Sequence, residues 1–580
     1  MTRRNLGPDV KLSQHALLDR QVDRRRFVVG STTMLATLAG VAASRGTMAQ
    51  GTAEPARGGR AVIALIQEPG QMNPYFNIQS GSFLSTLVVE PLFVPDASGT
   101  YLPVLAAEVP TIENGGISED NLTITYKLRD GITWSDGEPF TADDVVFSFE
   151  IFKNPESTTV LGPAFELIES VEAVDPLTVR VRMTAINPAF LELWNTDGPV
   201  QPKHMFESSA VDQSHPLARL PLGTGPFVFT EWKTGAEITL ERNSNYREPN
   251  KPHLDGITIQ IAPEKESAIA SFVAGEFDTV YFFVTGDLPT LTQAEEEGSA
   301  IVIQLQEGPS HVEWLWLNLS DGGDPTIPHP VLGDPALREA IDHGIDRQTV
   351  IDEVLGGFGY QVGSFIYAGW AAVDIPAAAY DPERANQVLD GAGWTMGSDG
   401  IREKEGVRAS LRYQTIAGDQ TRELYQQVVQ QNMRDIGIEL TIENIPSNTI
   451  FGTWEEGGIY ARGDYDLLMS RDGYFVDPAE WANRFTSDQI ATAEFPAGLN
   501  RVRYQSPEFD AAIAEGAATL DQEVRAEAYR RAAERFAADR PAIPLYSSAW
   551  GWAWNERLQG VSTEFWEGMW PSSADWYVEE

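Results

Sequence analysis

The alternation of apolar and polar residues along the chain predicts many short strands. Residues 122–128 alternate over seven positions, which is typical of a strand with one buried face. Residues 61–66 form a short apolar run between Gly and Pro, which indicates a strand buried on both faces. The same criteria predict further strands at 132–134, 177–183, 227–232, 238–242, 257–261, 312–318, 438–443 and 466–469.

Helices are predicted where a capping residue precedes apolar residues with helical spacing. Thr141-Ala-Asp-Asp144 has the pattern of a capping box, and Asp334-Pro335 offers a cap followed by proline at the first helical position. Such patterns predict helices that begin near 141 and 334 and helices at 267–274, 380–392, 422–436 and 522–539. Strands and helices are mixed along the whole chain without a repeat of about 20–50 residues. The pattern therefore favours an α/β protein with mixed sheets in more than one lobe.

The N-terminal segment differs in charge from the rest of the chain. Residues 1–49 contain eight Lys+Arg and three Asp, and the pair Arg24-Arg25 precedes an uncharged stretch at 28–44. Small residues, Thr47 and Ala49, stand at the positions that a signal peptidase would recognise. We therefore expect residues 1–49 to be a twin-arginine-type signal peptide with Arg24 and Arg25 as the pair. An ordinary secretory leader or an uncleaved anchor helix is the alternative.

Composition narrows the choice of partner and of compartment. The 580 residues include 84 Asp+Glu, 42 Lys+Arg and no Cys, for a formal net charge of −42. Removing the eight basic and three acidic residues of 1–49 leaves 34 and 81, a net charge of −47. Such a charge repels nucleic-acid phosphates and anionic lipid surfaces, so we expect no nucleic-acid partner. Without Cys there can be no disulfide and no lipid-anchored N-terminal cysteine, so we expect an exported, periplasmic or extracytoplasmic protein that is not a lipoprotein.

Motifs for catalysis are absent from the sequence. There is no phosphate-binding Gly-x-x-x-x-Gly-Lys-Ser/Thr, no Gly-x-Ser-x-Gly elbow and no His-Glu-x-x-His. The six histidines after residue 49 are scattered singly. We therefore expect no enzyme activity, no cofactor and no metal site. A secreted hydrolase that uses paired carboxylates remains the alternative, because carboxylates are abundant throughout the chain.

Aromatic residues in glycine-rich loops are the candidate ligand contacts. Tyr367 and Trp370 lie in one such loop, and Tyr474 and Phe475 follow Arg471-Asp472-Gly473 in another. Large amphipathic side chains close to charges suit an adaptable ligand cleft. Packing in the protein core is the alternative role for each of them.

Residues 126–148, Tyr-Lys-Leu-Arg-Asp-Gly-Ile-Thr-Trp-Ser-Asp-Gly-Glu-Pro-Phe-Thr-Ala-Asp-Asp-Val-Val-Phe-Ser, closely resemble the family 5 extracellular solute-binding proteins. These are the peptide- and nickel-binding components of ABC importers. Further matches follow in the same order along the chain, at Gly223–Phe227, Asn245-Tyr246, Pro252–Gly256, Phe272–Asp278, Leu337–Ile341, Asp477-Pro478, Arg525 and Arg540–Leu545. The resemblance therefore extends over the whole chain after the leader.

The resemblance implies a two-lobed periplasmic-binding-protein fold of α/β class with mixed sheets, hinge crossover strands and an extra subdomain in lobe I. The crossings would fall near His311–Asn318 and Ile543–Ser548. The implied boundaries are 50–95, 220–309 and 546–580 for lobe I, 96–219 for its extra subdomain and 310–545 for lobe II. A solute would bind between the lobes, favour their closure and pass to a membrane permease and its ATPase.

The resemblance also bears on the ligand. In many peptide-binding relatives, a Trp and an Asp in the loop before Asp-Pro hold the peptide. An ungapped alignment on Asp477-Pro478 places Arg471 and Tyr474 at those positions, with Asp472 nearby. Arg471 suits a ligand carboxylate through a bidentate fork. We expect a peptide or similar small solute, with an oligosaccharide, an opine or a chelated metal as alternatives. The candidate ligand-binding residues are Tyr75, Tyr367, Trp370, Arg471, Asp472, Tyr474 and Phe475.

Overall fold

The computed structural model describes residues 55, 57–76, 84–159, 165–281, 285–306, 311–473, 476–566 and 568–579. Arg24 and Arg25 of the predicted signal peptide and the candidate ligand contacts Tyr474 and Phe475 lie outside the described residues. Among the described helices, none combines the length and apolar character that crossing a bilayer requires.

Strands and helices are mixed along the described chain. In chain order the strands are β1 (Arg60–Leu65), β2 (Phe93–Pro95), β3 (Tyr101–Pro103), β4 (Thr123–Lys127), β5 (Ile168–Asp175), β6 (Thr178–Met183), β7 (Phe227–Lys233), β8 (Glu237–Arg242), β9 (Gly256–Ile261), β10 (Thr279–Tyr281), β11 (Ile301–Leu305), β12 (His311–Leu317), β13 (Ser320–Asp321), β14 (Asp324–Pro328), β15 (Gly359–Tyr360), β16 (Thr395–Met396), β17 (Arg402–Lys404), β18 (Val407–Arg408), β19 (Ser410–Ile416), β20 (Glu439–Ile445), β21 (Leu467–Asp472), β22 (Ala542–Ser548), β23 (Gly551–Asn555), β24 (Leu558–Gln559) and β25 (Tyr577–Val578). The helices are α1 (Ala142–Lys153), α2 (Pro216–Arg219), α3 (Lys265–Val273), α4 (Leu288–Glu296), α5 (Pro335–Gly344), α6 (Arg347–Glu353), α7 (Pro382–Gly391), α8 (Gln420–Asp435), α9 (Ser447–Ile450), α10 (Ile459–Arg462), α11 (Pro478–Ala482), α12 (Pro507–Ala517) and α13 (Gln522–Asp539).

The predicted elements agree with these bounds except at one place. The piece at 132–134 is not a strand, because the chain turns immediately after it: the Gly137 N–H donates to the carbonyl of Trp134. Only an isolated bridge between Thr133 and Pro139 forms there.

Lobe I is built on a seven-stranded mixed sheet of order β11-β23-β10-β1-β9-β8-β7. Strand β1 pairs in parallel with both β9 and β10. Alternate residues of β1 enter two different apolar clusters, with Ile63 on one face of the sheet and Ala64 on the other. Burial on both faces explains why β1 has an almost continuous apolar sequence.

The extra subdomain of lobe I consists of the three-stranded antiparallel sheet β4-β6-β5 and helix α1. Its core contains Tyr126, Trp134 and Trp194, and the Tyr126 hydroxyl donates to the carbonyl of Phe190 at 2.8 Å. At the start of α1, the Asp144 carboxylate accepts the Thr141 N–H at 2.8 Å, which is one half of the predicted capping box.

Two glycines of the family motif allow the backbone to pass close to Val88 in lobe I. A Cβ on Gly223 would lie 1.9 Å from the Val88 carbonyl oxygen, and one on Gly225 would lie 2.5 Å from it. The Gly225 N–H donates to the same oxygen at 2.8 Å. These positions require glycine because any side chain would collide with backbone atoms.

Lobe II is built on a six-stranded sheet of order β15-β22-β12-β21-β19-β20. Strand β19 pairs in parallel with β20 and β21, and β12 is antiparallel to β21 and β22. Leu315 and Leu317 of β12 pack in the apolar cluster on one face of the sheet, and Trp314 and Trp316 pack in the cluster on the other. The predicted crossover strands therefore lie within lobe II. The chain passes between the lobes in the connections from β11 to β12 and from β22 to β23.

Candidate ligand-binding cleft

One edge of the lobe II sheet faces lobe I. The parallel strands β19, β20 and β21 end at this edge, at Ile416, Ile445 and Asp472. Strand β12, antiparallel to β21, begins there at His311, which pairs with Ser548 at the end of β22. The chain enters β12 from lobe I and leaves β22 for lobe I, so this edge borders the other lobe. Carboxyl ends of parallel strands are where open α/β sheets bind ligands, and we call the space between this edge and lobe I the cleft.

The two connections between the lobes contact each other at the base of the cleft. The His311 ring stacks on Trp550, with ring centroids 4.9 Å apart and an interplanar angle of 30°. The Gln306 N–H donates to the Trp550 carbonyl at 2.8 Å, and the Ala549 N–H donates to the Phe358 carbonyl at 3.1 Å. The hinge is thus formed by residues from both crossings.

His311 is a neutral histidine at this hinge. Burial lowers the pKa of His311 to about 4, and the positive charge of Arg471 acts in the same direction. Its Nδ1 atom is buried and has no hydrogen-bond partner within the described chain. At neutral pH the ring is therefore uncharged.

This pKa predicts a loss of stability in acid that depends on His311. The pKa is 6.5 in the unfolded chain and about 4 in the folded protein. Between those pH values the unfolded chain binds a proton that the folded protein does not, so the free energy of unfolding falls as the pH falls. Because His311 is only partly buried, we expect a contribution of about 2 kcal/mol rather than the full value.

Chemical denaturation of the native protein and of His311→Gln at pH 7 and pH 4.5 measures this contribution. The variant should lose less stability on acidification by about 2 kcal/mol. An identical pH dependence in the two proteins would contradict the assignment of this titration to His311.

Arg471 offers a charged group to the cleft. It is exposed, lies opposite Glu313 in the β12–β21 register and makes no side-chain hydrogen bond to any described residue. Arg422 already binds the buried Glu313 carboxylate, through Nε at 2.7 Å and Nη2 at 3.2 Å. Burial raises the pKa of Glu313, and the charge of Arg422 opposes that rise. Within the described part of the chain, the Arg471 guanidinium thus has no side-chain hydrogen bond that an anion would have to displace.

Asp472, the next residue, is already paired within the protein. Arg484 donates from Nε to its carboxylate at 3.0 Å, and the Gly473 N–H donates at 2.9 Å. The Arg484 guanidinium also lies over the ring of the buried Trp481, 4.5 Å from the centroid. A ligand ammonium at Asp472 would have to compete with Arg484.

Trp370 packs on a buried ion pair near the same loop. The Arg525 guanidinium lies over its ring at 4.9 Å and donates from Nη2 to both Asp477 carboxylate oxygens, at 2.6 and 2.7 Å. Burial opposes ionisation of Arg525, but Asp477 and Tyr529 more than offset it, so its pKa is raised. Tyr367, also half-buried, packs against the same apolar cluster as Trp370.

Tyr75 lies apart from these residues. Its side chain is 1 % exposed within the subdomain core, where its ring lies 4.7 Å from that of Phe152. Burial raises the pKa of its hydroxyl well above the usual range. A ligand could contact Tyr75 only if this core opened.

The subdomain touches lobe II beside the predicted ligand loop. Glu192 Oε1 accepts the backbone N–H of Asp477 at 3.0 Å. A Cβ on Gly99 would lie 3.4 Å from Val476 Cγ1, and Leu520 of lobe II packs against the subdomain core. The structure is therefore that of a closed cleft on this side.

The lobes also meet elsewhere, between α4 of lobe I and the turn after α6 of lobe II. A Cβ on Gly356 would lie 3.2 Å from Pro289 Cγ. Neither this contact nor Glu192 was predicted from the sequence, since each joins segments that are distant along the chain.

No metal site is evident in the part of the chain that the structure describes, where no three His, Asp or Glu side chains are arranged to hold an ion. The cleft residues instead offer a guanidinium, aromatic faces and a neutral imidazole. This set can bind an anionic organic group through charge-assisted hydrogen bonds and ring contacts.

Comparisons with known proteins agree with the geometry. The family model described as bacterial extracellular solute-binding proteins, family 5 Middle, matches residues 100–492. The oligopeptide-binding protein AppA of Bacillus subtilis is 25% identical over 535 residues, covering 91% of this chain and 93% of AppA. The nickel-binding periplasmic protein of Escherichia coli K12 is 27% identical over 490 residues, covering 82% of this chain and 86% of that protein.

A solved structure confirms the two-lobed fold. NikA from Brucella suis, in complex with Fe(III)-EDTA, superposes with a TM-score of 0.74 at 23% identity, over 90% of this chain and 100% of NikA. The resemblance found in the sequence motifs is likewise confirmed, because the family model spans more than half of the chain. The chain belongs to the bacterial extracellular solute-binding proteins, family 5.

Proposed function

We propose that the chain is the substrate-binding component of an ABC importer and has no catalytic activity. It captures a small solute of the peptide class between its lobes and delivers it to a membrane permease and its ATPase. The observation that supports this most strongly is Arg471, an exposed guanidinium without a side-chain hydrogen bond among the described residues, at the cleft edge of a chain with a net charge of −42. A guanidinium binds a carboxylate through two parallel hydrogen bonds.

The kinds of ligand that the relatives suggest all contain a carboxylate group. An oligopeptide, the ligand in the name of AppA, ends in a carboxylate, and organic chelators of nickel bind the metal through carboxylates. Backbone groups of an extended peptide could add hydrogen bonds to the sheet edge. We therefore place a peptide first and a metal chelate second, with the carboxylate on Arg471 in both cases.

The location of the protein follows from the same proposal. Residues 1–49, with Arg24 and Arg25, direct twin-arginine export, and the mature protein stays soluble outside the cytoplasmic membrane. The absence of cysteine supports release without a lipid anchor. We keep the predicted boundaries 50–95 and 220–309 for lobe I, 96–219 for its subdomain and 310 for the start of lobe II. The predicted boundary at 545/546 moves to 548/549, because β22 pairs within the lobe II sheet up to Ser548.

Native mass spectrometry of the mature chain from residue 50 tests this function. We expect a bound molecule that is released unchanged on denaturation. In thermal-shift screening, dipeptides to nonapeptides with a free C-terminus should stabilise the protein by about 2.7 kcal/mol at a hundredfold excess over Kd.

Peptides with an amidated C-terminus and neutral oligosaccharides are the matched controls, and nickel with histidine is the chelate probe. Preference for an amidated peptide or a neutral sugar would contradict the carboxylate requirement. Hydrolysis of any probe by the protein would contradict the proposed transport function and would favour the alternative of a secreted hydrolase.

A further inference from the structure

We propose that Glu192 is a positioning residue that latches the subdomain of lobe I to Val476-Asp477 of lobe II and thereby sets the population of the closed state. The hydrogen bond from the Asp477 N–H to Glu192 Oε1 joins residues 285 positions apart in sequence. It crosses from one lobe to the other, so it exists only while the lobes are together.

The lobe I half of this latch is preoriented. Glu192 ends a short 3-10 helix, Phe190–Glu192, and its Oε1 atom also accepts the Tyr101 hydroxyl at 2.9 Å. Tyr101 belongs to β3 of the same lobe, so this hydrogen bond does not depend on closure. Because the Tyr101 hydroxyl already orients the Glu192 carboxylate, the Glu192 side chain loses little conformational freedom when the lobes meet.

The lobe II half is also held rigidly. The Asp477 carboxylate binds Arg525 and accepts the Ala479 N–H at 2.9 Å as the cap of α11. Asp477 is 5 % exposed. Its side chain is therefore fully used within lobe II, and its backbone N–H is the group left to meet Glu192.

Apolar contacts between the subdomain and lobe II accompany the latch. Gly99, at the tip of the β2–β3 hairpin, has a φ of 84° and brings the hairpin against Val476 without a side chain of its own. Leu520 packs on the subdomain core from the lobe II side. A hydrogen bond to a buried group is stronger than one in water. Because Asp477 is buried, removing the Glu192 carboxylate would leave its N–H without this acceptor in the closed state.

The latch affects the affinity for ligand because it changes the fraction of molecules in which the lobes are closed. A ligand that needs both lobes binds with an apparent affinity that scales with the closed fraction. Arg471, the guanidinium that we assign to the ligand, precedes Asp477 by six positions, so the latch is close in sequence to the proposed ligand contact. The subdomain thereby acquires a role in closure.

Disulfide trapping tests the latch without any ligand. The chain has no cysteine, so Gly99→Cys with Val476→Cys, treated with diamide as oxidant, reports encounters at this contact alone. Adding Glu192→Ala should slow the formation of the disulfide about 5–30-fold. Glu192→Gln, which keeps an acceptor oxygen but no charge, should slow it less. Glu172→Ala, an exposed partner of Arg180 in the same subdomain, should leave the rate unchanged.

A second trap, Pro289→Cys with Gly356→Cys, reports closure at the contact away from Glu192 and should slow by the same factor. Equal rates with and without Glu192→Ala in either trap would overturn the proposal. Gly99 and Gly356 both have positive φ, so the strain of the new cysteine is common to all variants and cancels in the ratio of rates. The result is independent of the proposed function, because no solute takes part. Glu192→Gln keeps the test decisive if Glu192→Ala does not fold.

Discussion

Replacing Arg525 by alanine is expected to lower the free energy of unfolding by about 3–5 kcal/mol. Arg525 and Asp477 are 6 % and 5 % exposed, and the guanidinium contacts both carboxylate oxygens. Without it, the Asp477 carboxylate stays buried without a counter-charge, and the Gly516 carbonyl, which accepts from Arg525 Nε at 3.1 Å, loses its donor. Chemical denaturation followed by tryptophan fluorescence and circular dichroism measures the loss.

Two further variants show whether the loss of stability comes from the buried ion pair or from any substitution in helix α13. Arg531→Ala removes an exposed pair with Glu515 from the same helix α13, and should change the stability by less than about 0.5 kcal/mol. Arg525→Met combined with Asp477→Asn should recover much of the loss, because neither charge is left alone in the interior and Asn can still cap α11. A loss in Arg525→Ala no larger than in Arg531→Ala would contradict the buried-pair argument.

The secondary structure could be predicted because its signals are local. The alternation at 122–128 became β4, and the Asp-Pro pair at 334–335 begins α5, where the Asp334 carboxylate accepts the Ala336 N–H at 3.0 Å. The piece at 132–134 was wrong because a strand of three residues carries too little pattern to outweigh the turn signal that follows it. The two-lobed fold itself came from the family motifs, since local periodicity does not specify how sheets are shared among distant segments.

The cleft was predictable only in part. The choice of Arg471 comes from the ungapped alignment with peptide-binding relatives at Asp477-Pro478. Arg471 lies at the end of β21, and its contact with a ligand stays a prediction. Its side chain makes no hydrogen bond to a described residue, whereas the Asp472 carboxylate binds Arg484. This difference depends on tertiary contacts and could not be predicted from the spacing of the motif. Glu192 carries no sequence signal at all, because its role arises when two lobes meet.

Arg471→Ala is expected to weaken binding of a peptide with a free C-terminus by about 30- to 1000-fold. Truncating one member of a desolvated, hydrogen-bonded charge pair costs about 2–4 kcal/mol, because the other charge is left unpaired in the closed cleft. Arg471→Lys keeps the charge but not the planar fork, so it should lose about tenfold. Isothermal titration calorimetry with the tightest peptide from the thermal-shift screen measures both.

A double-mutant cycle with the amidated form of the same peptide identifies the contacted group. If the carboxylate lies on Arg471, amidation should weaken binding to the native protein strongly and to Arg471→Ala hardly at all, so the two losses do not add. Arg408→Ala is the control, because this arginine pairs with Asp399 and Glu439 in lobe II and retains no role in the cleft. Additive losses would place the carboxylate elsewhere, and the exposed guanidinium at the end of β21 would then need another anion of the solute as its partner.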